Sequence, residues 1–447
     1  MAIVRFDVEF TKTGSLYKKA QVDALAAGLA GVTDLLVVSH GWNNDMADAR
    51  ALYDALLGNV SAIFDHAADA NAPAAIKRLA GRTYAACQVF WPSKKFADSD
   101  LIPGGGAASA TTANDHALDR VLAALKEDPV RLGGHDRPAA RVKAIDRAIK
   151  ALGDIEHDPK ARQTFVDAIR QAVGRGPSAK ERDDGSSHFF EDDAETLFTN
   201  LAQPVKAPVG RGSGGATDVG SAGGAAGLGD LLSGAKAAAR RIANYATYYQ
   251  MKDRAGVVGS KGLAPVLATC RKATPTVRLH LVGHSFGARL VTAAASGLAP
   301  HSHDVTISLL QGAFSHNALS GDYGDGKPGF YRTVLADARV SGPVIITHTK
   351  NDQAVGVAYP LASRLAGEIA AALGDENDPY GGMGRNGAQH TTEATGHDAT
   401  LGSVGHAYTF APGTVNNLLA DAVIKDHNDV TGGEVAYAVL CCTAGLG

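Results

Sequence analysis

The chain has 447 residues, 45% hydrophobic and 20% charged, with a formal net charge of −3. That near-neutral balance, without clusters of Lys and Arg interleaved with aromatics, excludes an electrostatic case for a nucleic-acid partner. Its four cysteines, Cys87, Cys270 and the adjacent Cys441-Cys442, are too sparse for a disulfide framework and show no zinc spacing. They are expected to be buried small hydrophobes.

No stretch approaches the roughly 20 apolar residues of a membrane helix. The N-terminal Met-Ala-Ile-Val-Arg-Phe lacks the charged start and apolar core of a signal peptide. A cytoplasmic protein without a transmembrane segment is therefore expected, leaderless export being left open.

Val4, Phe6, Val8 and Phe10 alternate with Arg5, Asp7 and Glu9, which predicts a half-buried strand at a sheet edge. A helix follows over 17–30. Leu35-Leu36-Val37-Val38 is a continuous apolar run suited to a central strand covered on both faces, and it ends at Ser39-His40-Gly41-Trp42-Asn43-Asn44. Asp45 is placed to cap the next helix, which carries Leu52, Leu56 and Leu57. A third strand, from Tyr84 to Phe90, stops at Trp91-Pro92-Ser93.

From residue 97 strands are expected to disappear. Three apolar stripes at helical spacing (Leu118 to Leu125, Val142 to Leu152, Phe165 to Val173) predict a helical insertion, broken near Gly133-Gly134 and Gly153-Asp154. Residues 210–234 hold 10 glycines in 25 positions, a composition suited to a linker. Strand and helix then alternate: helices near 236–251 and 260–270, strand 277–283, helix 286–297, strand 304–311, helix 328–337, strand 343–349 and helix 358–372. Strand-like segments at 404–410 and 417–425 precede a last helix near 434–443. Such alternation predicts an α/β protein with a mainly parallel central sheet and helices on both faces.

The motif that carries chemistry is Gly283-His284-Ser285-Phe286-Gly287, with a strand before it and a helix after. A serine at this turn takes a strained backbone that lifts its hydroxyl above the sheet, and the glycines remove side chains that would collide with neighbours. The run Leu281-Val282-Gly283-His284-Ser285-Phe286-Gly287-Ala288 resembles the nucleophile elbow of the α/β-hydrolase superfamily, particularly its lipase and esterase branches. The resemblance covers residues 1–96 and 245–447, and the insertion between them matches no pattern of that family.

It implies an α/β-hydrolase core at 1–96 and 236–447, with 97–235 as a helical cap whose linker is 210–234. Ser285 is then the nucleophile. The backbone N–H of Phe286 is one oxyanion donor; by similarity to the His-Gly loop of lipases, His40-Gly41-Trp42 supplies the second from Trp42, with Asn43 as fallback. The family's chain order of nucleophile, acid and base points to Asp352, in the exit loop of strand 343–349, and to His427, between a strand and the last helix. Asp322 is a weaker acid candidate and His406 the rival base. His348, His390 and His397 fit less well, and Asp426 and Asp429 are read as loop stabilisers.

Gly41, Asn43, Trp91, His284, Phe314 and Tyr359 are expected around the substrate, and the aromatics favour an apolar acyl group. The implied reaction is hydrolysis of a small-molecule or lipid-like carboxylic ester, without a metal or organic cofactor. An amide, peptide or thioester substrate, or a non-catalytic binding role on the same scaffold, stays open. Oligomeric state is not legible.

Three patterns are discounted. Gly210-Arg211-Gly212-Ser213-Gly214-Gly215 lacks the strand and helix of a dinucleotide site. Glu156-His157-Asp158 lacks metal-ligand spacing and reads as solvated surface. Lys180-Glu181-Arg182-Asp183-Asp184 reads as an exposed loop.

Overall fold

A computed structural model describes residues 3–42, 44–93, 110–174, 176–178, 180–202, 234–352, 354–355, 363, 365–367 and 376–446, the side chains of 110–117 excepted. Among these residues ten strands follow in chain order: β1 (Val4–Glu9), β2 (Asp34–Ser39), β3 (Tyr84–Phe90), β4 (Asp128–Arg131), β5 (Gly134–Asp136), β6 (Arg278–His284), β7 (Val305–Leu310), β8 (Val344–His348), β9 (Ala399–Thr400) and β10 (Val415–Leu419). Eight of them form one sheet in the order β1-β3-β2-β6-β7-β8-β10-β9. Every pairing within it is parallel. This is an α/β protein.

Both faces of the sheet are covered, which is why β2, β3 and β7 are buried along their whole length. Helices Met46–Phe64 and Gly433–Thr443 pack on one face. Helices Ala235–Val257 and Phe286–Ala295 pack on the other. The chain leaves β2 toward β3 on one side and leaves β6 toward β7 on the opposite side. Neighbouring strands whose connections diverge leave a crevice at their carboxyl ends, and ligands of open α/β sheets bind in such crevices.

Local chemistry explains most elements. Asp45 caps Met46–Phe64 by accepting from the N–H groups of Ala47 and Asp48, while Asp48 reaches back to the N–H of Asp45. The insertion carries helices Ala110–Leu125, Ala139–Ala151, Pro159–Val173, Ser186–Glu191 and Ala194–Leu201. Their apolar side chains belong to the same cluster as the sheet face beneath Ala235–Val257.

Several expectations are corrected. The insertion is not free of strands: the break at Gly133-Gly134 is the turn of the antiparallel hairpin β4–β5, with Gly133 at φ 78°. The strand at β1 lies at the sheet edge, but its alternation is imperfect: Val4 is 56% exposed, whereas Glu9 is buried and accepts from Arg131. The helices near 236–251 and 260–270 are one run, joined by a π-helical turn, Val258–Leu263, where Gly259 meets the backbone of Leu290. Residues 404–410 are not a strand. Gly405 sits at φ 98°, and the rings pack on one another instead, His406 edge-on to Tyr408 at 4.6 Å and Tyr408 stacked on Phe410 at 4.7 Å. The expected strand 417–425 is the shorter β10, and only Thr333–Ala336 is helical within 328–337.

Glu156 and His157 are exposed, as solvated surface should be, and Glu156 also accepts from the N–H groups of Ala235 and Lys236 at a helix start, while Asp158 caps Pro159–Val173. Most of helix 358–372 and of the Gly-rich stretch lies outside the described residues. All four cysteines are buried and unbridged. Among the described residues no helix is long and apolar enough to cross a membrane.

The run 180–184 departs furthest from expectation. Glu181, Asp183 and Asp184 are 6%, 3% and 5% exposed, because two cations lie beneath them. Lys252 pairs with Asp184 and, at 3.1 Å, with Glu181; Arg289 pairs with Glu181 at 2.6 Å. Lys180 and Arg182 are exposed, and Arg182 turns outward to Glu191. Lys252 and Arg289 stand on helices Ala235–Val257 and Phe286–Ala295, and their buried partners come from the insertion.

Candidate active site

Ser285 follows β6 and opens the helix Phe286–Ala295, at φ 56° and ψ −123°. A non-glycine residue with such a backbone carries about 1–3 kcal/mol of strain. The turn is held by Ser285 N–H donating to Leu310 (3.0 Å) and by Ala288 and Ala313 N–H donating to the Ser285 carbonyl (3.0 and 3.2 Å). A Cβ on Gly283 would meet the Ala288 Cα at 2.5 Å, and one on Gly287 would meet the His40 carbonyl oxygen at 2.5 Å. These atoms are backbone and cannot swing aside. Gly287→Ala should therefore destabilise the protein by about 1–3 kcal/mol, read from urea unfolding.

The structure brings Ser285, His427 and Asp352 together from three different loops. His427 Nδ1 lies 2.8 Å from Asp352 Oδ2, and His427 Nε2 lies 2.8 Å from Ser285 Oγ. An ionised carboxylate only accepts, so Nδ1 carries the proton and Nε2 is free to accept from the serine hydroxyl. Asp352 is fully buried, and the His427 side chain is 16% exposed. Burial alone would lower the basicity of His427, but the charge and hydrogen bond of Asp352, helped by Asp426, outweigh it and raise its pKa above 6.5.

The rivals lie elsewhere. His406 packs edge-on against Tyr408, and His390 bonds Asn317 at 2.8 Å. Asp322 caps its own loop through Gly324. Asp426 and Asp429 accept from the backbone N–H groups of Asn428 and Lys425 and so shape the loop that presents His427.

The loop after β2 lies directly against the serine. A Cβ on Gly41 would meet the Ser285 Cβ at 2.7 Å, so only glycine lets this backbone approach. His40 anchors the loop. Its Nδ1 donates to the Gly41 carbonyl (2.9 Å), its Nε2 accepts from Trp91 N–H (3.3 Å), and the Trp91 indole donates to the His40 carbonyl (3.0 Å). His40 N–H donates to the Tyr53 hydroxyl, which in turn donates to the Val89 carbonyl. Burial pushes the His40 pKa down to about 4, so the ring stays neutral in this role.

Trp42 is half-buried, its ring 5.8 Å from that of Phe286, which Tyr248 also contacts at 5.1 Å. As the first residue of its helix, Phe286 has a backbone N–H with no carbonyl in a preceding turn to receive it. The helix dipole adds to the attraction for negative charge there.

The residues expected around a substrate divide differently. Trp91 is wholly buried and stacks on His40 at 5.6 Å, so it braces the loop rather than lining a mouth. Phe314 is 1% exposed and packs on Tyr331. His284, 3% exposed, donates from Nε2 to the His427 carbonyl at 2.7 Å, and burial, then His427, depress its pKa to about 3. It clamps the His427 backbone as a neutral ring. Asn43 and Tyr359 lie outside the described residues. Sequence reading missed Tyr248, Tyr53 and Gln311; Gln311 carries no carboxylate and gives no signal as an acid, although it directly follows β7. Among the described residues no group of three or more His, Cys, Asp or Glu side chains is arranged to hold a metal.

Comparison with protein-family models, with curated proteins and with solved structures finds no match for the chain.

Proposed function

We propose that the chain is a serine hydrolase of the α/β-hydrolase type. Within that class we assign it to the carboxylic-ester hydrolases, with an apolar acyl group as substrate. One observation carries the reading: the unbroken hydrogen-bond chain from Asp352 through His427 to Ser285, both links 2.8 Å, beside the divergence of β2 and β6. The order of the three residues along the chain, and the strands that precede them, support the superfamily assignment.

In this reading Ser285 Oγ attacks the ester carbonyl carbon while His427 Nε2 takes its proton. The backbone N–H groups of Phe286 and Trp42 receive the developing oxyanion. Collapse of the tetrahedral species breaks the bond to the alcohol, which leaves with the proton from His427. Water then attacks the acyl-enzyme by the same route. Trp42, Phe286 and Tyr248 provide apolar surface beside the serine, and the inserted helices share the core beneath them, which favours a role in shaping the acyl pocket.

A fluorophosphonate probe on wild type and Ser285→Ala, with a panel of ester, thioester and anilide substrates, tests the proposal. Labelling of the wild type alone and preference for esters support it; preference for the anilide replaces the ester assignment with an amidase. The acid limb of kcat/KM gives an independent check. His427 must be neutral to accept a proton, and its raised pKa keeps it protonated to higher pH. The limb should therefore lie above 6.5 and move down in Asp352→Asn, where the negative charge is gone.

A further inference from the structure

We infer that Gln311 is a positioning residue for the acid, holding Asp352 Oδ2 on the His427 ring through a side-chain amide locked on three sides. The inference rests on the hydrolase reading above and adds a residue that the three-membered hydrogen-bond chain does not include.

Gln311 follows β7, is fully buried, and takes φ 46°, a left-handed backbone unusual for a residue with a long side chain. Its Nε2 donates to Asp352 Oδ2 at 3.1 Å and to the Gly384 carbonyl at 3.0 Å. Its Oε1 accepts from the Thr347 hydroxyl at 3.0 Å, and that same hydroxyl accepts from Gln311 N–H at 3.1 Å. The amide can face only one way. Turned over, its oxygen would confront a carboxylate and a carbonyl, both acceptors, and its NH2 would take from the Thr347 hydroxyl hydrogen the acceptor it now has.

Asp352 is held on both oxygens. Oδ1 accepts from Val355 N–H at 2.9 Å, and Oδ2 receives both His427 Nδ1 and Gln311 Nε2. The Gln311 N–H thus shares the very oxygen that faces the histidine. Two effects follow: the carboxylate plane is fixed toward the ring, and part of the Oδ2 charge is spent on the amide rather than on His427. The wall behind the amide is built for it. A Cβ on Gly384, in the short helix Met383–Asn386, would meet the Gln311 carbonyl carbon at 2.6 Å, so only glycine lets this backbone press against Gln311. Gly384 N–H and Thr349 N–H close the arrangement on the Gly312 and Gly384 carbonyls at 2.8 and 3.0 Å.

The test is Gln311→Met, of similar length but without the amide, in wild type and in Asp352→Asn. In wild type, kcat/KM should fall about 10- to 100-fold, carried by kcat with KM little changed. The acid limb should move to higher pH, because Oδ2, relieved of the amide, attracts the His427 proton more strongly. In the Asp352→Asn background the same replacement should cost less than about twofold, since its effect travels through the carboxylate. Thr347→Val, which removes the hydroxyl that orients the amide while suiting a strand, should shift the limb in the same direction by less; it also serves if the methionine variant does not fold.

An unmoved acid limb in both variants overturns the inference, as does an equal loss in the Asp352→Asn background, which would mark Gln311 as structural only. If wild type itself fails to label with fluorophosphonate, the hydrolase reading falls first; normal wild-type labelling with no effect at Gln311 sinks this inference alone.

Discussion

Ser285→Ala should lower ester turnover by roughly 10⁶-fold in kcat and abolish fluorophosphonate labelling, while leaving the unfolding transition close to that of wild type. The size follows from what the residue supplies. Without the hydroxyl there is no acyl-enzyme, and only water activated by His427 and the oxyanion donors remains. His427→Ala should cost nearly as much, because a neutral serine hydroxyl is a poor nucleophile without the base 2.8 Å away. The double variant should be no worse than either single one, since the two groups act as a unit. Asp352→Asn should lose about 10⁴-fold, an amide in place of the carboxylate favouring the wrong tautomer of His427. Steady-state kinetics on a chromogenic ester measures all four. Labelling of the Ser285→Ala variant would place the nucleophile elsewhere.

The second large effect concerns stability. Lys252→Met should destabilise the protein by about 3–5 kcal/mol in urea unfolding, because it strips the cation from carboxylates that water cannot reach. Lys252 is 1% exposed, and Glu181 and Asp184 lie against it. Glu181 and Asp184 balance Lys252 and Arg289 charge for charge, which leaves Asp183 as the extra carboxyl. Burial, together with repulsion from Asp184 and Glu181, pushes its pKa up to about 7. The folded state therefore holds a proton that the unfolded chain releases near 3.8. The stability this proton contributes is complete below the unfolded value and is lost as pH rises toward about 7. Asp183→Asn cannot lose a proton, so it should gain on wild type across that window and be the more stable variant above it. Unfolding midpoints across the pH range read this directly, and a midpoint difference independent of pH would contradict it.

Much of the fold was legible because local rules carried it. The continuous apolar runs of β2 and β3, the Asp45 cap and the β-α alternation each depend on neighbours within a few positions. The failures have equally local causes. Gly405 and the ring cluster of His406, Tyr408 and Phe410 look alternating, yet satisfy their side chains without a ladder. The run 180–184 looks like solvated surface because its partners, Lys252 and Arg289, lie far along the chain on two helices. Trp91 and Phe314 passed for pocket aromatics for the same reason: sequence shows that a ring sits after a strand, not which way it turns.

The same division holds at Ser285. Its strained turn, the glycines at 283 and 287 and the strand-to-helix context are short-range demands, so the sequence alone determined where a serine stands at the head of a helix, and an analogy of chain order pointed to Asp352 and His427. Only the tertiary structure decided that the three side chains meet at 2.8 Å, that His284 clamps the His427 backbone, and that Gln311 bears on Asp352. Such contacts join loops separated by 41 to 143 residues. They are fixed by the order of strands in the sheet, which no local pattern encodes.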